Sequence, residues 1–546
     1  MSRTRHESAS TSVPRMRPVT PGRAPRAWVW FLLLLVAAAG IRFAYLADVS
    51  DAPDIMNPIL DSNWNRTQAL RIAGGECLPD GPFWRPPGYQ YFLAPLFMTA
   101  RGDPLLSRIV QILLSAATCG LIYLIGRRVF GHGVGLLAGA LAAAYQMSIY
   151  FSVELLPTTL EVFANALMLW FLLVAEEKRT AGWWIAGGAL LGFSAIVRPT
   201  VLVFAVLLII FVKGFRLWRG SWRPALALGA GALVVILPVT AINLVHGRDA
   251  VFIASQGGVN FYIGNGPYAD GKTVLLRGTY EAEYSHGLGE YQDQVHLMSV
   301  AMAEQATGRG MKPSAIDRYW YGKAIESIRD GPGRFAGLLL RKLYYFWNSQ
   351  ETSNNRNIGL FIREHSPWLR WPLPWFGLIA PLGIVGLVAA WRRGRGVRLL
   401  TLFLLGQMIA VVLFFVTARF RMPAVMALLV FASYGVFWLV GRIRATDWAR
   451  AALGVVSLAA LLGVVHTGCL GVRRTPDLGI QYFNQAVALL REERVEEAAG
   501  LMRLVTRINP SDPMIHCALG STLLRMDCYA EAEESYERAL AIRPSN

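Results

Sequence analysis

Acidic side chains are rare within the long apolar runs of this sequence, and a carboxylate near the boundary of these runs can act as a general base. One candidate for this role is Asp61, in the loop after the first apolar run. It precedes the polar stretch Ser62-Asn63-Trp64-Asn65-Arg66 and a helical pattern that continues to Ile72. Its carboxylate suits the N-cap of that helix, where it would accept hydrogen bonds from free backbone amides. It also suits a general base that takes the proton of an acceptor hydroxyl group. The two roles are compatible, since a capping carboxylate stays ionised and oriented.

Two glutamates follow at the next boundary between apolar runs. Glu154 lies in the turn Ser152-Val153-Glu154-Leu155-Leu156-Pro157-Thr158-Thr159, where a carboxylate can simply face water. Glu161 lies further along the chain, in the next apolar run, where an ionised side chain is expensive to bury and is a functional candidate by default. The sequence leaves open which of the two is the second functional acid.

Four arginines are candidates for binding an anion: Arg198, Arg419 and Arg421 lie at the ends of apolar runs, and Arg85 lies in the loop 48–104. Long basic side chains at such positions often extend toward lipid headgroups. The same positions suit a phosphate or pyrophosphate, because guanidinium groups bind these anions with charge-assisted hydrogen bonds. Arg85 stands in the stiff aromatic segment Phe83-Trp84-Arg85-Pro86-Pro87-Gly88-Tyr89-Gln90-Tyr91, which suits either a membrane-anchored loop or a cleft that a lipid enters sideways.

The composition requires a membrane around these residues. Of the 546 residues, 54% are hydrophobic and only 16% are charged, against roughly a quarter charged in an average soluble domain. In a soluble protein the net charge of +17 would indicate a nucleic-acid partner. Here the basic residues lie at the ends of apolar runs, as the positive-inside rule describes, so we expect no nucleic-acid binding.

The apolar residues are arranged in about eleven runs, and a helix that crosses the hydrocarbon layer needs about 20 residues. The runs cover residues 28–47, 105–125, 132–152, 158–175, 182–197, 199–213, 223–244, 370–391, 398–417, 421–441 and 450–470. We therefore predict an all-α, polytopic membrane helix bundle of about eleven spans within residues 27–470.

Lysine and arginine residues are concentrated in every second connection, which predicts that these connections and the N-terminus are cytoplasmic. The segments 48–104 and 245–369 and the C-terminal tail are then extracytoplasmic, and we expect the inner (plasma) membrane as the location. Residues 1–26 are polar and arginine-rich, which is typical of a disordered cytoplasmic tail. The first apolar run also suits a signal peptide, but its length favours retention as a span.

The C-terminal tail contains a repeat with a period of 34 residues, which relates Pro510 to Pro544 and Ala498 to Ala532. Small and aromatic residues at fixed positions of a 34-residue period are typical of the tetratricopeptide repeat (TPR), because they let paired helices pack closely. The sequence therefore predicts an α-α module of two TPR repeats in residues 476–546.

In their order along the chain, these features resemble the GT-C class of membrane glycosyltransferases, and within it the protein O-mannosyltransferase and aminoarabinose-transferase superfamily. The resemblance covers roughly residues 28–440. It rests on Asp61, Arg85-Pro86-Pro87-Gly88-Tyr89, Glu154, Arg198-Pro199-Thr200 and Arg419-Phe420-Arg421-Met422-Pro423. The family commonly has an Asp or an Asp-Glu pair in the first outer loop, whereas here Asp61 is followed by Ser62.

The resemblance implies transfer of a hexosyl or pentosyl group from a polyprenyl-phosphate carrier to a protein or glycan acceptor on the outer face, usually with inversion. Asp61 would be the general base, and Glu154 would position the acceptor or a metal ion. The residues implied in donor binding are Arg85, Tyr89, Arg198, Arg419 and Arg421. The arginines would hold the leaving phosphate, whose negative charge grows in the transition state. No cofactor is certain, a divalent metal is an open alternative, and the TPR could recruit a protein acceptor.

Two other functions suit a polytopic chain with a TPR tail. A transporter or flippase of lipid-linked sugars predicts internal symmetry between halves and polar residues at mid-membrane. The sequence has no such repeat, and its acids lie at the outer boundary. A non-enzymatic TPR membrane scaffold predicts that Asp61 and the outer arginines can be replaced without consequence.

Overall fold

The computed structural model describes residues 27–211, 222–274, 276, 294–353, 355–370, 374–471 and 478–543. These residues contain helices and no strands, which confirms the all-α fold class. The predicted disordered tail, residues 1–26, lies outside the described residues.

The helices are labelled here in chain order. The first eleven are α1 (Ala27–Val49), α2 (Pro53–Met56), α3 (Leu60–Ala73), α4 (Gly88–Thr99), α5 (Leu105–Phe130), α6 (His132–Ala144), α7 (Gln146–Phe151), α8 (Thr158–Lys178), α9 (Ala181–Val197), α10 (Val201–Ile210) and α11 (Arg223–Val245). The second large loop contains α12 (Gly257–Asn265), α13 (Gln294–Thr307), α14 (Pro313–Asp330), α15 (Pro332–Trp347), α16 (Ile358–His365) and a 3-10 turn (Pro367–Arg370). The remaining helices are α17 (Phe376–Ala390), α18 (Gly394–Leu413), α19 (Ala418–Arg444), α20 (Trp448–His466), α21 (Leu478–Arg491), α22 (Val495–Ile508), α23 (Pro513–Leu524) and α24 (Tyr529–Ile542).

Every predicted apolar run contains helix, and the third run is divided at Tyr145 into α6 and α7. Among the described helices, seven are long and apolar enough to cross a membrane: α1, α5, α8, α11, α18, α19 and α20. The apolar helices α6, α9, α10 and α17 are shorter, with 10–17 residues each. These helices make the chain a multi-pass membrane protein, and the count of about eleven spans stays a prediction.

Glycines bring two helix pairs of the bundle into close contact. A Cβ atom at Gly188 of α9 would lie 2.0 Å from the carbonyl oxygen of Leu228 in α11. A Cβ atom at Gly386 of α17 would lie 1.8 Å from the carbonyl oxygen of Phe431 in α19. Small residues at such contacts let apolar helices gain dispersion energy where lipid provides no hydrophobic driving force.

Helix α1 is fastened to the bundle by a buried arginine. The guanidinium group of Arg42 donates to Ser115 Oγ at 2.7 Å and to Ser148 Oγ at 2.8 Å. It also donates to the carbonyl oxygens of Ala142 and Ala143, at 3.4 and 3.1 Å. Those carbonyls lie in the last turn of α6, where the helix itself leaves acceptors unused. Retention of the first apolar run remains a prediction, which these contacts support.

Four helices form the C-terminal module, as two antiparallel pairs, α21 with α22 and α23 with α24. Their facing sides bury small and medium apolar residues, among them Ala498, Met502, Leu519 and Ala532. The first helix of the module, α21, contacts α2 of the membrane domain. The module therefore lies on the same side of the bundle as the loop that carries Asp61.

Candidate active site

Asp61 lies in the first turn of α3, and the interpretation of this residue as an N-cap is wrong. The N-cap position belongs to Ile59, whose carbonyl oxygen accepts from the amides of Ser62 and Asn63 at 3.1 and 3.2 Å. The carboxylate of Asp61 binds two arginines instead. Arg85 Nη1 donates to Oδ1 and Arg419 Nη1 donates to Oδ2, each at 2.7 Å. The carboxylate oxygens of Asp61 thus accept hydrogen bonds from Arg85 and Arg419, and not from backbone amides of α3.

The two guanidinium groups decide the charge of Asp61. Burial alone would raise the pKa of this carboxyl group, but Arg85 and Arg419 outweigh that effect and hold the pKa well below its usual range. The side chains of Asp61, Arg85 and Arg419 are 17, 18 and 11% exposed. Asp61 is therefore ionised, partly accessible, and occupied at both oxygens.

A third arginine joins this cluster through an aromatic ring. The guanidinium carbons of Arg198 and Arg419 lie 4.5 and 4.7 Å from the centre of the Phe420 ring. Arg198 also pairs with Glu161 across 2.8 Å. Cation–π contacts hold guanidinium groups in place without neutralising them. With both acids ionised, three arginines and two carboxylates leave one positive charge in excess.

Glu154 lies in a second, fully buried cluster. Arg356 stands between Glu154 and Asp54, with nitrogen-to-oxygen distances of 2.5 and 2.7 Å. Its guanidinium carbon lies 4.1 Å from the centre of the Phe361 ring. Burial raises the pKa of Glu154, and Arg356 works against that rise. One guanidinium thus pairs with two buried carboxylates, and Arg108 adds a weaker attraction to Glu154.

A pocket connects the two clusters. Arg419 of the first cluster and Glu154 and Arg356 of the second all line it. The remaining lining residues are Ile59, Ser62, Tyr150, Phe151, Leu156, Thr352, Asn355, Ile358 and Ala418. A concave site with an apolar lining and a few convergent charged groups is the usual form of a small-molecule site.

The structure does not bring every predicted site residue to this pocket. Arg421 donates to the carbonyl oxygens of Phe346 and Asn348, at 3.1 and 2.7 Å, and pairs with Glu351 at 2.6 Å. Residues two apart on a helix do not face the same way, which separates Arg421 from Arg419. Tyr89 is fully buried, and its hydroxyl donates to Gln111 Oε1 at 2.7 Å.

Among the residues of the two charged clusters, sequence reasoning missed Arg356 and the aromatic contact of Phe420. Arg356 lies in a long loop with many basic residues, so no pattern distinguished it. Phe420 stood between Arg419 and Arg421 and was noted only as their neighbour, although an aromatic ring beside arginines is itself a signal of a cation–π contact. In contrast, Glu154, Glu161, Arg198 and Arg419 were found from their positions near the ends of apolar runs, and Asp61 and Arg85 from the polar and aromatic segments of the first large loop.

No metal site is formed by the described residues, since nowhere among them do three His, Cys, Asp or Glu side chains converge. The two acids that do approach each other, Asp54 and Glu154, share Arg356. A divalent metal stays an open alternative from the sequence.

Two segments of the chain match models of known protein families. Residues 84–242 match the family model described as dolichyl-phosphate-mannose-protein mannosyltransferase, and residues 513–546 match a tetratricopeptide repeat. The resemblance seen in the sequence is confirmed. The matched segment contains Arg85, Glu154, Glu161 and Arg198, whereas Asp61 and Arg419 lie outside it. No curated protein sequence matches the chain.

Solved structures of two membrane enzymes are similar to the chain. The apo oligosaccharyltransferase of Archaeoglobus fulgidus is 14% identical, with a TM-score of 0.43, over 86% of this chain and 59% of that one. ArnT from Cupriavidus metallidurans bound to undecaprenyl phosphate is 15% identical, with a TM-score of 0.38, over 77% of this chain and 79% of that one. The chain thus spans less than two thirds of the archaeal enzyme, and likeness at these TM-scores carries no argument about activity.

Proposed function

We propose that this protein transfers a sugar from a polyprenyl-phosphate donor to an acceptor on the outer face of the membrane. The observation that carries the proposal is the contact of Asp61 with Arg85 and Arg419, beside Arg198 and at the edge of a pocket. A carboxylate and several arginines in one partly exposed cluster suit a base and a phosphate-binding group. The match to the mannosyltransferase family model favours this donor class.

In the proposed reaction, an oxygen of the acceptor attacks the anomeric carbon of the sugar while the bond from that carbon to the phosphate oxygen breaks. The acceptor proton passes to Asp61, and the polyprenyl phosphate leaves with the bonding electrons. A single displacement of this kind inverts the anomeric configuration. Arg85, Arg198 and Arg419 stabilise the leaving phosphate, because its negative charge grows in the transition state.

Because the pKa of Asp61 is low, the polyprenyl-phosphate donor has a second role in this proposal, which is to free Asp61 to act as a base. A carboxylate whose two oxygens are both held by guanidinium groups is a poor proton acceptor. A donor phosphate that binds Arg85 and Arg419 competes with Asp61 for the same nitrogens. Binding of the donor therefore releases the base at the time when the acceptor proton must be removed, and it limits futile chemistry without a donor.

Glu154 and Glu161 have different proposed roles. Glu161 is paired with Arg198 and fixes this arginine beside the ring of Phe420. Glu154 lines the same pocket as Arg419 and orients the acceptor there, while Arg356 keeps its charge compensated.

The proposed orientation rests on charge and on contact. The connections rich in lysine and arginine lie on the side of the bundle opposite to Asp61 along the predicted topology, and such connections are cytoplasmic in most membrane proteins. The C-terminal module contacts the loop before Asp61, so it shares the side of the site. We place both on the extracytoplasmic face of the plasma membrane.

The test is Asp61→Asn in purified protein reconstituted with a radiolabelled polyprenyl-phosphate sugar. Loss of a general base lowers the turnover number by about 100-fold to 10,000-fold. The matched control is Asp80→Asn in the same loop, since Asp80 is 93% exposed and pairs only loosely with Arg71; it should retain wild-type turnover. Equal sugar transfer by the Asp61→Asn protein and the wild type would reject the proposed base. A transporter would instead move the lipid without releasing labelled product, and a scaffold would do neither.

A further inference from the structure

The TPR module makes hydrogen bonds to the membrane domain at two points that lie within a few residues of the candidate active site. At the first point, Arg491 Nη1 donates to the carbonyl oxygen of Pro58 at 3.0 Å. Beside it, Asn57 Nδ2 donates to Glu492 Oε1 at 2.8 Å. We call the contacts at the two points the seam. It consists of Asn57, Pro58 and Asn357 in the membrane domain and Gln481, Arg491 and Glu492 in the module.

The first seam contact leads directly to the proposed base. Pro58 is followed by Ile59, the N-cap of α3, and by Leu60 and Asp61. Leu60 has a φ of 48°, in the left-handed region that a leucine rarely adopts. A residue persists in this conformation only where its surroundings over-determine it. Arg491 and Glu492 hold the chain just before the strained residue, so the module helps to fix the direction in which α3 presents Asp61.

The second seam contact lies next to Arg356, which lines the pocket. The amide of Asn357 donates to Gln481 Oε1 at 2.8 Å. Asn357 caps α16 through its own side chain, which accepts from the amide of Leu360 at 3.1 Å. The residue before it is Arg356, the compensating charge of Glu154 and Asp54. Gln481 thus holds the turn from which Arg356 reaches into the pocket wall.

The seam is polar and specific in geometry. Gln481 is only 2% exposed, although its side chain is polar, and it meets the membrane domain from α21. Hydrogen bonds fix direction and distance more tightly than apolar packing does, because they weaken steeply with angle. A module that served only to recruit partners from a distance would need no such bonds beside the segments that carry Asp61 and Arg356.

We propose that α21 of the TPR module is a structural wall of the active site, in which Gln481 and Arg491 are positioning residues for Arg356 and Asp61. This inference rests on the proposed function for its catalytic consequence, but not for its structural one. The contacts of the seam fix the position of Asp61 relative to Arg356. Loosening it misplaces the base without removing any group that binds the donor.

The experiment measures hydrogen exchange and turnover in the full-length protein, reconstituted in lipid. The variants are Arg491→Ala and Gln481→Ala, and also Asn57→Ala, which opens the seam from the membrane domain without altering the module. Each should raise amide exchange in residues 57–63 or 355–362 by about tenfold, since local opening tracks lost contacts. Turnover should fall about tenfold at saturating donor, with the donor KM within about twofold of wild type, as for loss of an interaction made in the transition state.

Two controls separate positioning from folding. Gln481→Met keeps the volume of this buried side chain but removes the oxygen that accepts from Asn357, so it should raise exchange in residues 355–362 as Gln481→Ala does. Arg503→Ala removes an exposed pair with Glu531 inside the module and should change neither quantity. Exchange in residues 513–542 reports whether the module stays folded, and Asn57→Ala decides the matter if a variant of the module unfolds.

The outcomes distinguish the two proposals. If all three alanine variants show wild-type exchange in residues 57–63 and 355–362, the seam does not hold these segments in place, and the inference is rejected whatever the protein catalyses. If exchange is faster in the variants but the wild-type protein transfers no sugar, the structural role of the seam stands and the proposed function is rejected. Faster exchange with unchanged turnover would reject the positioning role of Gln481 and Arg491.

Discussion

Asp61 and Arg419 are 358 residues apart in the sequence, and their side chains meet at 2.7 Å. Asp61 comes from the first large loop, and Arg419 begins α19 near the other end of the membrane domain. Arg419 lines the pocket together with Ile59 and Ser62 of the first loop, so the site exists only when the first and last thirds of the membrane domain are packed together. The contact between Asp61 and Arg419 also holds the proposed base in a state that a phosphate must disturb.

Arg419→Gln should move the pH dependence of catalysis. Removing one guanidinium lets burial act more strongly on Asp61, so the pKa of Asp61 rises toward its usual range. Because the base works only when ionised, activity should be lost at a higher pH in the variant than in the wild type as the pH falls. The donor KM should also rise by about tenfold, since a phosphate contact is lost.

The measurement is the pH profile of kcat/KM, which reports groups of the free enzyme. Arg71→Gln is the matched control, because Arg71 forms only exposed pairs in the same loop as Asp61. An acid limb at the same pH in the Arg419→Gln protein and the wild type would show that Asp61 does not control the reaction.

The sequence predicted the positions of the charged residues better than their partners. Every predicted apolar run contains helix among the described residues, because the hydrocarbon layer requires long apolar segments whatever their tertiary contacts, and the number of spans stays a prediction. The assignment of Asp61 as an N-cap failed because local rules do not include Arg85 and Arg419, which reach it from other elements. Arg421 was paired with Arg419 by proximity in sequence, yet helical geometry turns it toward Glu351.

Arg356 could not have been found from the sequence, since its importance comes from two carboxylates in distant segments. Replacing it by alanine removes the guanidinium that pairs with both buried carboxylates, and leaves only the weaker attraction of Arg108 for Glu154. A lone buried charge of this kind costs about 3–5 kcal/mol of folding free energy. Arg356→Ala should therefore lower the thermal unfolding midpoint in detergent, whereas the exposed Arg71→Ala should not.

The sign of the pH dependence gives this prediction a second check. Burial raises the pKa of Glu154, and loss of Arg356 raises it further. An acid with a raised pKa binds more protons in the folded state than in the unfolded state, so folding is favoured as the pH falls through that window. The deficit of Arg356→Ala should accordingly be smaller near about pH 5 than near about pH 8. A deficit that grows on acidification would contradict the assigned cause.

Arg42→Leu should destabilise the bundle even though it removes a buried charge from an apolar helix. The substitution leaves the hydroxyl groups of Ser115 and Ser148 and the terminal carbonyls of α6 without a donor. Each buried polar group without a partner costs about 1–3 kcal/mol, and less where a neighbour adjusts. The expected result is a lower unfolding midpoint and faster proteolysis at the junction of α6 and α7. A midpoint at or above the wild type would mean that the serines and carbonyls find other partners.

Gly386→Val should separate α17 from α19. The first side-chain atom would already lie 1.8 Å from the carbonyl oxygen of Phe431, so the two helices must move apart. Since α19 begins next to Arg419, we expect both a lower unfolding midpoint and a weaker donor affinity. The matched control is Gly441→Val in α19, where an added Cβ meets nothing within 4 Å. Equal midpoints for the two variants would show that α17 and α19 tolerate separation at this contact.

Lys342 gives a prediction for the second large loop that does not depend on catalysis. This lysine of α15 is fully buried, and its Nζ donates to Asn265 Oδ1 at 2.8 Å. Burial, with a smaller contribution from Arg334, lowers the pKa of Lys342 to about 7. Between that value and the ordinary lysine pKa, the unfolded state binds more protons than the folded state, so stability rises with pH.

The wild type should therefore gain about 2 kcal/mol of stability from this residue between about pH 7 and about pH 9. Lys342→Met should remove that gain and be more stable than the wild type near neutral pH, because the charged form is no longer buried. The control is Lys323→Met, in which an exposed lysine paired with Glu326 is replaced. Thermal unfolding of the three proteins across this pH range is the measurement. Parallel curves for wild type and Lys342→Met would show that Lys342 is not titrating in the folded protein.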